Sequence, residues 1–147
     1  MAMTAALMMS GSVAQAQDVN IGRSNITLTS DLMTPETLWA MGRIGAAQAS
    51  PDGKKIVYQV GYYSVKENKG HQVLRVMDAD GKNDRLLTTS AKSEGDAAWL
   101  DNNTLAFLTG GQLWTMNADG TNRKQLTHSD IDIEGFRFSP DRKRVVL

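Results

Sequence analysis

The sequence contains no cysteine among its 147 residues. This absence excludes disulfide bonds, thiolate zinc sites and cysteine nucleophiles within the chain. Charge of one sign is not in excess either, because 16 lysines and arginines balance 16 aspartates and glutamates. Nucleic-acid binders usually carry a basic excess along one face, and attachment to an anionic membrane needs a basic cluster. The charge balance therefore predicts no nucleic-acid partner and no membrane-surface partner.

Long apolar runs are missing too, and the apolar stretch at residues 5–9 is far too short to span a bilayer as a helix. It is followed by Ala14-Gln15-Ala16, which has small residues at the two positions that a signal peptidase recognises. We therefore interpret residues 1–16 as a signal peptide cleaved before Gln17, which predicts a periplasmic or secreted protein. No basic residue precedes the stretch, so an upstream start, a weak signal or a leader without a targeting role stays open.

What the chain does contain is typical of a globular protein. Hydrophobic residues make up 41% of it, enough to bury a core, and charged residues make up 22%. A disordered chain would combine fewer apolar residues with a high net charge. The composition therefore predicts folded structure over most of the length.

Residues 17–45 form an N-terminal extension that is predicted to contain one short helix. Thr34-Pro35-Glu36 is a helix start, because threonine caps free N–H groups, proline suits the first helical position and glutamate complements the helix dipole. Leu38 and Met41 then fall on one face, with Trp39 beside them, and the helix is expected to end near Gly42–Gly45. A helix this short is unstable alone, so it should pack against something larger.

From Ala46 onward, short runs rich in β-branched and aromatic residues alternate with turn signals and with an internal repeat. Residues 74–88 align without gaps on residues 113–127 at an offset of 39, and eight of the 15 positions are identical. A Ser-Pro-Asp-Gly turn followed by a strand occurs at residues 49–58 and corresponds to residues 138–147, where Arg142 replaces the glycine. A degenerate copy lies between them at residues 98–107. The aspartates of the three copies are 49 and then 40 residues apart.

A period of about 40 residues with four short strands per unit is the signature of β-propeller blades. The sequence therefore predicts an all-β fold, a propeller fragment of about two and a half four-stranded blades over residues 46–147 preceded by the short helix. In each blade the inner strand precedes the Ser-Pro-Asp-Gly turn and the second strand follows it. The third strand leads into Met-Asp-Ala-Asp-Gly, and Arg85–Thr88 is the outer strand. Helical solenoids and β-sandwiches fit this pattern less well.

These repeats resemble those of TolB-type propellers, which also form the N-terminal propeller of the prolyl oligopeptidase family of serine peptidases. The residues on which this resemblance rests are Ser-Pro-Asp-Gly at 50–53 and Met-Asn-Ala-Asp-Gly-Thr-Asn at 116–122, followed by Gln-Leu-Thr. The segment before them, residues 32–39 with Gly42-Arg43-Ile44-Gly45, is similar to the mature N-terminus of bacterial dipeptidyl- and acylaminoacyl-peptidases of that family. TolB proteins carry a separate α/β domain before the propeller, for which there is no room here. A TolB-like envelope propeller that binds proteins without enzymatic activity is the alternative.

The resemblance implies a parent serine peptidase that cleaves short peptides. In that family a C-terminal α/β-hydrolase domain carries Ser, Asp and His, with the serine on a Gly-x-Ser-x-Gly elbow. This chain has no such elbow and ends at Leu147 in the middle of a predicted strand, so we expect a truncated product. The partners implied are a peptide substrate and the hydrolase domain. No catalytic residue is assigned, and no cofactor is implied.

Two clusters invite a chemical role and are better explained as turns. His128-Ser129-Asp130 contains the residue types of a catalytic triad, but neighbouring residues in a loop diverge, whereas triad members converge from separate elements. Asp78–Asp84 looks like a calcium loop, yet the positions that need glycine and glutamate hold Asn83 and Thr89. The sequence therefore predicts no metal site, and His71 is the one histidine besides His128.

Aromatic residues mark two further features. Trp99 and Trp114 occupy strand positions inside a repeat, which predicts packing between blades. Tyr62, Tyr63 and the polar stretch to Gly70, with an insertion around Lys66–Gly70, are predicted to form a longer loop on one face. Such insertions often contact a ligand or a second domain, so this loop is the strongest candidate for a functional contact.

Overall fold

The computed structural model describes residues 21–23, 27, 31–88 and 90–147, so the predicted signal peptide lies outside the described residues. Strands dominate what is described. The elements are α1 (Pro35–Ala40), β1 (Arg43–Ala49), β2 (Lys55–Ser64), β3 (Lys69–Asp78), β4 (Arg85–Leu86), β5 (Glu94–Trp99), β6 (Thr104–Thr109), β7 (Gln112–Asn117), β8 (Lys124–Gln125), β9 (Arg137–Phe138) and β10 (Val145–Val146).

The strands form three antiparallel sheets. The first has the order β1-β2-β3-β4, the second has the order β5-β6-β7-β8, and the third pairs β9 with β10. The first two are consecutive meanders with the same strand order, and the first strand of each carries a register shift. It lies between Ile44 and Ala47 in β1 and between Gly95 and Ala98 in β5. The predicted all-β class is confirmed.

The sequence repeat is also a repeat of hydrogen bonds. The Leu74 N–H donates to the Thr88 hydroxyl at 2.9 Å, and the Leu113 N–H donates to the Thr127 hydroxyl at the same distance. Because a threonine hydroxyl takes the N–H that a longer outer strand would have bound, the outer strand is short. Thus β4 ends at Leu86, where the sequence predicted a strand through Thr88.

The identical residues in the turns have a conformational reason. Gly81 and Gly120 have φ of 82° and 86°, and Asn83 and Asn122 have φ of 54° and 53°. Glycine and asparagine tolerate this left-handed region better than other residues do. Both copies therefore need the same residue types to make the same turn before the outer strand.

The Ser-Pro-Asp turn is built identically in its two intact copies. Ser50 Oγ donates to Asp52 at 2.7 Å, and Ser139 Oγ donates to Asp141 at 2.6 Å. These bonds hold the pKa of each aspartate below its ordinary value. In the degenerate copy, the Leu100 N–H donates to the carbonyl of Thr104 at 2.8 Å and closes a turn one residue shorter.

The main core lies between the first and second sheets. It consists of buried residues from both sheets, namely Val57, Leu74, Val76, Leu87, Trp99, Leu105, Phe107, Met116 and Ala118, with Ala97 and Trp114 packed against them. Trp99 also donates from its indole nitrogen to the carbonyl of Gln48 in β1 at 3.1 Å. The prediction that both tryptophans pack between repeat units is confirmed.

A second cluster lies on the opposite face of the second sheet, where Ala106, Leu108 and Leu113 are buried against Leu100, Ile133, Phe136 and Phe138. The second sheet is therefore covered on both faces. This explains why β6 reads as a continuous apolar run from Leu105 to Leu108 with no polar alternation.

The helix boundary differs from the expectation. The helix ends at Ala40, and β1 begins at Arg43, so Gly45, expected near the helix end, lies inside a strand. Met41, the residue after the helix, already has an extended conformation with φ of −73° and ψ of 135°. Because Arg43 pairs with Gly61, the first strand begins before Ala46, where the sequence predicted the start of the strands.

Candidate functional site

The predicted loop at Lys66–Gly70 is instead the end of a long hairpin. Strands β2 and β3 have ten residues each and stay paired as far as Ser64 and Lys69, which leaves only residues 65–68 as the turn. The expectation of a longer loop was wrong, because Lys69 and Gly70 continue the strand pairing. The insertion lengthens two strands and moves a rigid ribbon outward.

The hairpin tip is fixed by its own polar side chains. The Tyr63 hydroxyl donates to the Asn68 side-chain oxygen, and the Glu67 N–H donates to Ser64 Oγ at 3.2 Å. Asn68 has φ of 48°, a left-handed conformation that asparagine tolerates. The tip is therefore stabilised by hydrogen bonds between its own residues.

Helix α1 packs on this hairpin through aromatic contacts. Thr34 caps the helix by accepting the Thr37 N–H at 3.2 Å, so the predicted start is confirmed. The rings of Trp39 and Tyr63 lie 4.9 Å apart, and the Arg43 guanidinium lies 4.7 Å from the centre of the Trp39 ring. The short helix is thus stabilised by the hairpin, as its length requires.

Gly61 leaves a recess on the face of the hairpin that carries Tyr63. Gly61 pairs with Gln72, and Gly70 pairs with Tyr63, so alternation along the strands puts all four residues on that face. The recess is part of a cleft of about 470 Å³, which we call the hairpin cleft, lined by Trp39, Arg43, Ile44, Gly45, Gln59, Gly61, Tyr62, Tyr63, Gly70, His71, Gln72 and Ser93.

The rim of the hairpin cleft is tied to the second sheet. The Asp96 N–H donates to the side-chain oxygen of Gln59 at 3.3 Å, and the Gln72 N–H donates to Ser93 Oγ at 3.1 Å. The cleft is therefore lined by α1 and the first sheet, with Ser93 from the connection that leads into β5. Sequence reasoning found Tyr62 and Tyr63 but missed Arg43, Gln59 and Gln72, because only the strand register brings them together.

The opposite face of the hairpin holds His71, which is 6% exposed. Its Nδ1–H donates to the carbonyl of Ile21 at 2.7 Å, because a carbonyl oxygen can only accept. Nε2 is buried and has no hydrogen-bond partner among the described residues. His71 thus fastens residues 21–23 to the first sheet.

Replacing His71 by phenylalanine should loosen residues 21–23 while keeping the buried volume. The lost hydrogen bond contributes about 1 kcal/mol, which corresponds to about a fivefold change in the population of the detached segment. We expect trypsin to cleave after Arg23 about fivefold faster. Val65→Ala, at the exposed hairpin tip, is the control and should leave the rate unchanged. An unaltered rate in the His71 variant would contradict the tether.

An ionic cluster lies farther along the same face. Arg75 donates to both carboxylate oxygens of Asp84, at 3.1 and 2.7 Å, and to the Tyr58 hydroxyl at 3.1 Å, while Tyr58 donates to Asp84 at 2.7 Å. The hydrogen bond from Arg75 holds the pKa of Asp84 below its ordinary value of 3.8. Burial, followed by the hydrogen bond to Asp84, raises the pKa of Tyr58.

This cluster predicts a pH-dependent contribution to stability. Because the folded-state pKa of Asp84 is lowered, its contribution is present above the ordinary value and is lost as the pH falls through the folded-state pKa. Arg75→Met should therefore lower the urea midpoint more at pH 7 than at a pH below 3.8, the ordinary pKa of this carboxyl group. The control, Lys82→Met, breaks an exposed pair with Asp80 and should have little effect at either pH. An equal loss at both pH values would contradict the electrostatic origin.

A buried acid joins the first two sheets. Glu94 is 0% exposed and forms an ion pair with Arg123, whose guanidinium lies 4.9 Å from the centre of the Phe107 ring. Glu94 also accepts hydrogen bonds from Thr88 at 2.7 Å and from Ser90 at 3.2 Å. Sequence reasoning missed this network, although a carboxylate at the start of an otherwise small-residue strand was a signal for it.

The two clusters that resembled catalytic or metal sites lie in connections. His128, Ser129 and Asp130 are exposed between β8 and β9, and Ser129 Oγ accepts the Ile131 N–H at 3.2 Å. Asp78 accepts hydrogen bonds from Lys55 at 3.3 Å and from Asn83 at 2.6 Å, in the predicted turn before β4. Its carboxylate is thus engaged within the turn.

In the part of the chain that the structure describes, no group of three or more histidine, aspartate or glutamate side chains is placed to hold a metal ion. The described helix is also neither long nor apolar enough to cross a membrane.

Comparison with known proteins supplies a relationship that the geometry does not. No protein-family model matches the chain. A protein named dipeptidyl-peptidase 5 from Porphyromonas endodontalis is 35% identical over 125 residues, which is 82% of this chain and 18% of that protein. Dipeptidyl-peptidase 5 from Porphyromonas gingivalis is 41% identical over 126 residues, with the same two shares. The chain is thus related to dipeptidyl-peptidases over most of its length, and it spans less than a fifth of the length of these relatives.

Proposed function

We propose that this chain is the non-catalytic, N-terminal propeller part of a secreted or periplasmic serine peptidase that cleaves short peptides. Its sheets are the first blades of a β-propeller that gates substrate access to an α/β-hydrolase domain. The observation that carries the proposal is the similarity to two proteins named dipeptidyl-peptidase 5, at 35% and 41% identity over 82% of the chain.

The sheets support the propeller part of the proposal. Two consecutive four-stranded meanders share strand order, turn conformations and the threonine hydrogen bond that ends the outer strand. They pack face to face through one core, as consecutive blades do. A third unit begins with β9 and β10 and repeats the Ser-Pro-Asp turn.

The long hairpin supports the gating part. It extends beyond the end of the first sheet at which the chain enters β1 from α1, and it carries a hydrogen-bonded tip and a cleft. We infer that this end of the sheet faces the hydrolase domain and the path by which peptides reach it.

Sequencing the coding frame beyond Leu147 tests the proposal directly. We expect a Gly-x-Ser-x-Gly motif several hundred residues further on, and dipeptide release by the full-length protein that is abolished by replacing that serine with alanine. The 147-residue chain alone should hydrolyse dipeptide amides no faster than background. A stop codon soon after a sixth blade would contradict the proposal and favour the TolB-like binding propeller.

Deleting residues 66–68 in the full-length enzyme tests the role of the hairpin tip. Because the tip is rigid and exposed, its loss should change the ratio of kcat/KM between short and longer peptides by about tenfold, which corresponds to about 1.4 kcal/mol. Lys82→Gln, in the turn at the other end of β3, is the control. Unchanged selectivity together with unchanged thermal stability would count against a gating contact.

Secretion has its own test. N-terminal sequencing of the mature protein from its native host should give Gln17 as the first residue. A mature protein that retains Met1 would refute the signal-peptide interpretation.

A further inference from the structure

The hairpin cleft has a floor without side chains. Glycine in a strand interior weakens a sheet and often marks a place where a ligand or another backbone approaches closely. Gly61 and Gly70 lie on one face in adjacent strands. The Tyr63 ring lies 3.8 Å from the place of a Cβ atom at Gly70, so the open space is the one above Gly61. At Gly61 a Cβ atom would meet nothing closer than the carbonyl oxygen of Arg43 at 3.9 Å. The backbone therefore does not require glycine there, and the space itself needs an explanation.

A cation borders this recess. Arg43 pairs with Gly61 across the strands, and its guanidinium lies against the Trp39 ring. Within the described residues, no carboxylate lies within ion-pair distance of Arg43. A guanidinium over an aromatic ring can keep N–H donors available, and its planar fork matches a carboxylate with two parallel hydrogen bonds.

The remaining walls suit an amino-acid side chain and an amide. The rings of Trp39 and Tyr63 form an aromatic wall beside the guanidinium. Across the recess lies Gln72, whose side-chain amide forms no hydrogen bond with the described residues and can both donate and accept. A volume of about 470 Å³ lies within the range of small-ligand sites.

We propose that the hairpin cleft binds the C-terminal end of a short peptide, with Arg43 on the terminal carboxylate and the last side chain against Trp39 and Tyr63. The choice of a peptide as the carrier of the carboxylate rests on the proposed function, whereas recognition of the carboxylate rests on the cleft alone. Gln72 binds the last peptide amide, and the glycine floor lets the ligand backbone approach the sheet.

The test uses the full-length protein and two ligands that differ only in the carboxylate, the dipeptide Gly-Phe and glycyl-phenethylamide, with binding followed by isothermal titration calorimetry. We expect Gly-Phe to bind at least about tenfold more tightly, and Arg43→Gln to remove that preference. Lys124→Gln, an exposed cation on β8, should preserve it. If the Arg43 variant keeps the preference, the proposal is overturned.

A second variant separates the cleft from any binding at a catalytic centre. Gly61→Val fills the recess with a residue that favours strands, at a position without positive φ, so the thermal midpoint should not fall. We expect Gly-Phe binding to weaken about tenfold or more. Wild-type affinity in this variant would refute the site. Carboxylate-selective binding that depends on Arg43, in a protein whose coding frame lacks the serine elbow, would support the cleft while refuting the peptidase assignment.

Discussion

Replacing Arg123 by leucine is expected to lower the free energy of unfolding by about 3–5 kcal/mol, because breaking a buried ion pair leaves an uncompensated charge. The partner left behind would be Glu94, which is 0% exposed, whereas the Arg123 side chain is 28% exposed. Glu94→Leu should therefore lower the free energy of unfolding by less than Arg123→Leu does, since the guanidinium that remains can still reach water. Urea unfolding of both variants measures the difference.

The double variant Glu94→Leu with Arg123→Leu completes the cycle. Replacing both members of a buried pair by apolar groups is often close to neutral, so the double variant should recover most of the loss. Asp80→Asn, in an exposed pair with Lys82, is the control and should change stability by less than about 1 kcal/mol. If the two single losses simply added in the double variant, the pair would not be coupled as the structure indicates.

Phe107→Ala is the second substitution with a large expected effect. Phe107 is 0% exposed in the core between the two sheets, and its ring also supports the Arg123 guanidinium. Truncation should lower the free energy of unfolding by about 3–5 kcal/mol, because apolar burial is lost and a cavity is left behind. The expected consequence is separation of the two sheets as well as weakening of the second one.

Chemical denaturation with tryptophan fluorescence follows this loss, because Trp99 bridges the two sheets. Leu86→Ala is the matched control, since Leu86 is 48% exposed at the outer strand and its truncation should change stability by at most about 0.5 kcal/mol. A Phe107 variant as stable as the control would show that the shared core contributes little.

Features encoded by neighbouring residues could be predicted from the sequence. The Thr34 cap, the Ser-Pro-Asp turns and the repeated Asp-Gly turn each depend on a few consecutive residues, and the structure contains all of them. The all-β class followed from the same local signals. Propensity and turn chemistry act over this short range, so a single sequence reveals them.

Features that depend on register could not be predicted in this way. The polar residues after Tyr63 looked like a loop, and only the continued pairing of Ser64 with Lys69 makes them a hairpin. The Glu94–Arg123 pair joins residues 29 apart, and the local sequence gives a signal for Glu94 but none for its partner. The dipeptide Glu94-Gly95 recurs as Glu134-Gly135, but Glu134 is exposed. The recurrence of this dipeptide therefore does not predict whether its glutamate is buried.

The threonine after each outer strand has a different partner in the two sheets. The Thr88 hydroxyl donates to Glu94 of the next sheet, whereas the Thr127 hydroxyl donates to Gln112 of its own sheet. The same position of the repeat therefore links two units in one copy and closes a contact within a single unit in the other.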